Sequence, residues 1–174
     1  MASPGEDRRA GALGGRGLIF ITVGTQLPFD RLLRAVDGWA GAHPGVECHG
    51  QIGPAGYRPT AFKTVDFLPP DQADDLFKRA QLIVSHAGMG SVLTALRFRK
   101  PIIIFPRVAA LGEHRNEHQL ATAAWLECKP GVFVARTEEA LLTLLDQRNA
   151  LPAGEQISDS ADPAFIARLR SAID

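Results

Sequence analysis

Cysteine, tyrosine and any surplus of charge are scarce in this 174-residue sequence. Its two cysteines, Cys48 and Cys128, fit no Cys-x-x-Cys metal spacing and make no disulfide framework, so reduced thiols in a cytoplasmic protein are expected. Lys plus Arg (19) equals Asp plus Glu (19), which excludes an overall field that gathers nucleic acid or anionic lipid; any basic site must be local. No apolar run approaches the roughly 20 residues that span a bilayer, and the longest, 101–106, is strand-sized. The opening segment, 1–17, is rich in Gly, Ala and Arg but lacks the apolar stretch of a signal peptide, so a flexible leader is expected there. An Asp-x-Asp pair, which would hold a metal, is also missing.

What is present is an ordinary globular balance, 45% hydrophobic and 22% charged, in a length that suits one core. One domain is expected over 18–150, followed by a tail, 151–174, with a short helix over 163–172. Short apolar runs alternate with helical patterns, which predicts an α/β fold: a single Rossmann-like domain with a parallel sheet and right-handed crossovers. The apolar run 18–23 reads as a strand buried on both faces. A helix over 29–40 follows, with Asp30 placed to cap it and Leu32, Leu33, Val36 and Trp39 at helical spacing. Further strands are expected at 46–52, 63–68, 81–85, 101–105 and 132–135. Helices are expected at 70–79, running on from the 86–91 loop to 97, and at 113–127 and 137–147, the last capped by Thr137.

The segment His86-Ala87-Gly88-Met89-Gly90-Ser91 joins a strand's carboxyl end to a helix. There, unpaired backbone N–H groups converge on one point, which makes a phosphate site. Gly88 and Gly90 permit close approach, Ser91 adds a hydroxyl, and His86 adds an imidazole N–H. Alone, such a loop is in most proteins a tight turn.

Three motifs in order carry a more specific resemblance: Ser85 to Ser91, then Lys100-Pro101-Ile102-Ile103-Ile104, then Asn116-Glu117-His118-Gln119. Together they resemble the C-terminal domain of family 28 glycosyltransferases, the donor-binding half of a GT-B fold. The start, Ile21 to Asp30, is similar to the catalytic subunit of the two-chain eukaryotic transferase that adds GlcNAc to dolichol-linked glycan. Pro106-Arg107, Gly112-Glu113-His114 and His118-Gln119 resemble the PssE/EpsF-like group of bacterial exopolysaccharide enzymes, and the likeness covers about residues 18–147.

The resemblance implies a metal-independent UDP-sugar hexosyltransferase, without cofactor, that acts with a membrane-associated acceptor-binding subunit. It would sit at the inner face of the cell membrane and transfer to a lipid-linked saccharide. Glucuronic acid is the implied sugar, with Arg107 or Arg115 facing its carboxylate; N-acetylglucosamine is the alternative, and a noncatalytic UDP-sugar-binding scaffold stays open. The implied site has His86, Gly88, Gly90 and Ser91 at the diphosphate, Gln119 at the sugar hydroxyls, and Gly24 and Thr25 in the cleft. His118 stands where several relatives have Asp, and Thr94 where many have an acid for the ribose. Glu113 and His114 are the candidates for catalysis.

Overall fold

The computed structural model describes residues 17–54 and 56–154. The leader, apart from Gly17, and the helix expected over 163–172 lie outside the described residues. Helices connect the strands except between β2 and β3: β1 (Ile19–Thr22), α1 (Asp30–Ala42), β2 (Cys48–Gln51), β3 (Lys63–Val65), α2 (Pro70–Arg79), β4 (Leu82–Ser85), α3 (Met89–Arg97), β5 (Ile102–Ile104), α4 (His118–Leu126), β6 (Val132–Val134) and α5 (Glu138–Asp146). All pair in parallel, in the order β3-β2-β1-β4-β5-β6.

The apolar strands demand cover on both faces, and the helices supply it. Ile19 and Ile21 of β1 pack with Leu32 and Val36 of α1 and Leu141 and Leu145 of α5. Phe20 points the other way, into a second core with Phe77 of α2, Val92 of α3 and Leu126 of α4. This period of two, satisfied on both sides, makes the sheet the middle of three layers. Among the described residues, no helix is long and apolar enough to cross a membrane.

The elements follow the sequence pattern with two differences of substance. Asp30 does not cap α1: it is the first helical residue, Phe29 stands at the cap, and no side chain caps the turn. Its carboxylate gains only from the helix dipole, and Oδ1 is sealed without a hydrogen-bond partner. The helix expected over 113–127 begins at His118, because the Glu113 side chain is drawn away to bind Arg31 and the Val108 N–H. Thr137 does cap α5, its hydroxyl accepting from the Ala140 N–H at 3.2 Å.

A buried carboxylate that pattern alone did not single out anchors the β2–β3 connection. Asp37 of α1 accepts from Tyr57 Oη at 2.6 Å and from the N–H groups of Thr60 (2.9 Å) and Ala61 (2.8 Å). Burial pushes its pKa up, but these hydrogen bonds outweigh burial and hold it below the usual carboxylate range.

Candidate functional site

The chain leaves β1 toward β2 on one side and leaves β4 toward β5 on the other, so the loops after β1 and β4 part and open a crevice at their carboxyl ends. A cleft of about 420 Å³ lies there. Gly24, Thr25, His86, Gly88, Gly90, Ser91, Arg107, His114 and Gln119 all line it. Glu113 and His118 do not appear in its lining. Among the described residues no carboxylate lines the cleft either, and Arg107 brings it a positive charge.

The N-terminus of α3 forms one wall. Gly88 stands at its cap with no side-chain acceptor, and no acidic residue occupies its first turn, so the leading N–H groups stay available to an anion. Nothing lies within 4 Å of where a Cβ on Gly90 would stand. Gly88 has a different reason to be glycine: a Cβ there would lie 2.1 Å from His86 Nε2. Gly24, with φ of +79°, brings its own absent Cβ to 2.8 Å from His86 Cε1. The imidazole is therefore held between two glycines, and Ser85 Oγ stands 3.4 Å from its Nδ1.

Burial pushes the His86 pKa down to about 4, with the Arg107 charge and His114 adding to the effect and a backbone hydrogen bond to Thr22 opposing it. His86 is thus neutral at pH 7, a dipole rather than a cation. The unfolded chain, with a histidine pKa of about 6.5, takes up a proton that the folded chain refuses as pH falls from 6.5 toward 4. Stability contributed by His86 is full above that window and declines through it, by about 3 kcal/mol in total. Urea unfolding at pH 7 and pH 4.5 should show most of this loss in the wild type and much less in His86→Gln.

Arg107 follows β5 and is 2% exposed. It is neither a surface residue nor a free clamp for a sugar carboxylate. Its Nη2 donates to the carbonyls of Val23 (2.8 Å) and Leu27 (2.7 Å), and its Nη1 to those of Pro28 and, at 3.5 Å, Glu113. These four acceptors come from the loops after β1 and β5, so one guanidinium ties together both rims of the cleft. Burial lowers its pKa to about 10, with Glu113 resisting, so the charge persists at neutral pH.

Glu113 stands behind the cleft. Its carboxylate takes Arg31 in a two-toothed pair (Nε at 2.6 Å, Nη2 at 2.8 Å) and accepts from the Val108 N–H at 2.9 Å. Arg31 also stacks over Phe105, 4.0 Å from the ring centroid. This brace carries the next residue, His114, into the cleft wall. Its Nδ1 lies 3.0 Å from Asn116 Oδ1, 3.2 Å from Asn116 O and 3.4 Å from Asn116 N, which ties that edge of the ring to the loop and leaves Nε2 without a protein hydrogen bond among the described residues. Gln119, nearly buried, accepts at Oε1 from the Arg107 N–H (3.0 Å), leaving its NH₂ to donate. His118 is exposed at the start of α4.

Gln51, at the carboxyl end of β2, and Phe77 of α2 also line the cleft. Neither stood out from the sequence. A strand-end position beside the first glycine loop is the signal that would have found Gln51, whereas Phe77 reads as an ordinary core residue of an amphipathic helix.

Comparison with known proteins agrees with this geometry. Residues 18–148 match the model of the family described as glycosyltransferase family 28 C-terminal domain. The UDP-N-acetylglucosamine transferase subunit ALG13 of Eremothecium gossypii is 36% identical over 74 residues, which cover 37% of this chain and 36% of that relative. The chain thus spans about a third of the length of the curated relative it matches. Among solved structures, the glycotransferase of kitacinnamycin superposes with a TM-score of 0.60 at 18% identity, over 95% of this chain and 42% of that one. The solution structure of ALG13 gives a TM-score of 0.57 at 20% identity, over 88% of this chain and 94% of that one. At these identities, the two structures speak for the fold.

Proposed function

We propose, from the premise that this chain belongs to the glycosyltransferase family 28 C-terminal domain family, that it is the donor-binding, catalytic subunit of a two-chain UDP-sugar transferase. The single observation that carries the donor site is the uncapped N-terminus of α3, opening on a cleft whose described lining contains Arg107 and no carboxylate. A uridine diphosphate places its charge where the helix amides and the arginine field lower its energy. Those same groups stabilise the diphosphate as it departs.

In the transfer, an acceptor hydroxyl attacks the anomeric carbon and the bond from that carbon to the diphosphate oxygen breaks. His114 takes the hydroxyl proton at Nε2, since its Nδ1 is engaged with Asn116 and it faces the cleft. Glu113 serves by holding His114 in place, and the Gln119 NH₂ donates to a sugar hydroxyl. The donor we favour is UDP-N-acetylglucosamine, in keeping with the name of the ALG13 relative. A glucuronic acid donor needs a free cation, and the four terminal bonds of Arg107 go to backbone carbonyls.

The partner reading rests on the name of the curated relative, a UDP-N-acetylglucosamine transferase subunit. A bound donor on an uncovered domain leaves its reacting carbon open to water, which a second chain would exclude. That chain would be membrane-associated and would bring a lipid-linked saccharide, holding this one at the cytoplasmic face.

The test is thermal unfolding with UDP, UDP-N-acetylglucosamine, UDP-glucuronic acid and a GDP-sugar. A ligand at a hundred times its Kd stabilises the native state by about 2.7 kcal/mol, a rise of roughly 5–10 °C for a domain of this size. UDP and UDP-N-acetylglucosamine should raise the midpoint, and His86→Ala should diminish the rise. Indifference to every uridine nucleotide, with and without a co-expressed partner, would overturn the reading.

A further inference from the structure

Arg99 has a φ of +54° and is the one non-glycine residue with positive φ among the described residues. It stands just beyond α3, where its N–H donates to Leu96 O at 3.0 Å and the Lys100 N–H donates to Ala95 O at 2.8 Å. This pair of bonds closes the helix in the arrangement whose left-handed residue is usually glycine, which has no Cβ to clash there. Arg99 is exposed, and among the described residues its side chain has no ion pair or hydrogen bond to offset that backbone cost. Strain kept where nothing inside the fold needs it points to a contact outside the fold.

The surroundings of Arg99 are basic. α2 and α3 each lead into a strand of the parallel sheet, so their C-termini share the end of the sheet opposite the cleft. Lys78 and Arg79 finish α2, Arg97 finishes α3, and Lys100 follows Arg99. The two helix ends meet at Phe98, whose half-buried ring has Lys78 Nζ at 5.2 Å and the Arg97 guanidinium at 4.4 Å from its centroid. Helix dipoles and two aspartates account for part of this charge, since Arg97 pairs with Asp74 (2.5 Å) and Arg79 with Asp75 (3.4 Å). Lys78, Arg99 and Lys100 have no carboxylate partner among the described residues. The chain as a whole is neutral, so this surplus is local. Nucleic acid is gripped along a track of cations, whereas a compact cluster around one aromatic ring suits the headgroup layer of an anionic bilayer.

We infer that the shared end of α2 and α3, centred on Arg99, is a contact surface for an anionic lipid bilayer. The contact is independent of the donor-site reading and leaves the cleft, at the other end of the sheet, free.

The test is sedimentation of the full chain with vesicles of phosphatidylcholine alone or of equal parts phosphatidylcholine and phosphatidylglycerol. The chain should go down with the phosphatidylglycerol vesicles only, and less so as salt rises. Arg99→Gly should weaken that binding by about fivefold, and Arg99→Gly combined with Lys100→Gln by about twentyfold. The melting temperature of Arg99→Gly should stay level or rise by up to about 4 °C, because the glycine relieves the strain. Arg34→Gln, an exposed cation on α1 across the sheet, should bind as the wild type does. No binding to phosphatidylglycerol vesicles, undiminished binding by the double variant, or an equal loss in Arg34→Gln would overturn the inference. A lower melting temperature in Arg99→Gly would also overturn it, by showing that the fold itself needs the arginine. Tighter retention on duplex DNA than on the vesicles at the same salt would make the patch a nucleic-acid surface instead.

Discussion

Replacing Arg107 by Met should cost the domain about 4 kcal/mol, the range expected when a buried charged group with several partners is removed. In a chain of this length that corresponds to a fall of roughly 10 °C in the melting temperature. The reason is where its bonds go. The carbonyls of Val23, Leu27, Pro28 and Glu113 all accept from one guanidinium that is 2% exposed, and a thioether offers them nothing. Arg107 also stacks over Phe29, 4.6 Å from the ring centroid, so its removal loosens the start of α1 as well. Arg107→Lys should fall between, because three ammonium donors on a point charge cannot reproduce a planar fork. Arg115→Met, at an exposed position, should change stability by no more than about 0.5 kcal/mol. A loss of under about 1 kcal/mol in Arg107→Met would show that the loop carbonyls find water instead, and the clamp would be wrong.

Gly88→Ala should reduce UDP affinity by about a hundredfold or more, equivalent to about 3 kcal/mol. The new methyl would stand 2.1 Å from His86 Nε2, so the imidazole must leave its place between Gly24 and Gly88, and the cleft wall where we propose the diphosphate binds is rearranged. The fold itself should lose about 1–3 kcal/mol, the cost of overpacking a tight site. Gly90→Ala is the informative contrast. Nothing lies within 4 Å of its added methyl, and the residue is in the first turn of α3, so the empty protein should gain up to about 1 kcal/mol from helix propensity. Binding should still weaken, because the methyl would occupy the approach of the phosphate. Equal effects of the two substitutions on stability would disprove the separate roles assigned to these glycines.

The difference between these two glycines marks the limit of reading by motif. Local pattern sufficed for the strands, since a run such as Leu82–Ser85 has no stable place except between two helical layers. It sufficed for α2, where the proline start and the Lys78, Arg79 finish coincide with the observed ends. It also sufficed to place the loop 86–91 between β4 and α3, where its glycines and Ser91 line the cleft. The cleft residues near that loop follow from the parallel topology that the alternation of elements required.

Side-chain partners over long separations were a different matter. Arg107 bonds to residues 79, 80 and 84 positions earlier in the chain, and Glu113 to one 82 positions earlier. No local period encodes such pairs. Whether an arginine after a strand is a surface charge, a ligand clamp or a brace depends on which carbonyls the completed sheet brings around it. Its pair with Arg31 and its bond from the Val108 N–H keep Glu113 out of the cleft lining, a placement that no local pattern encodes. From its order of apolar runs, glycines and caps, the sequence by itself determined the layers and the place of the cleft. Only the tertiary structure decided which polar groups are already satisfied, and hence which are left to act on a ligand.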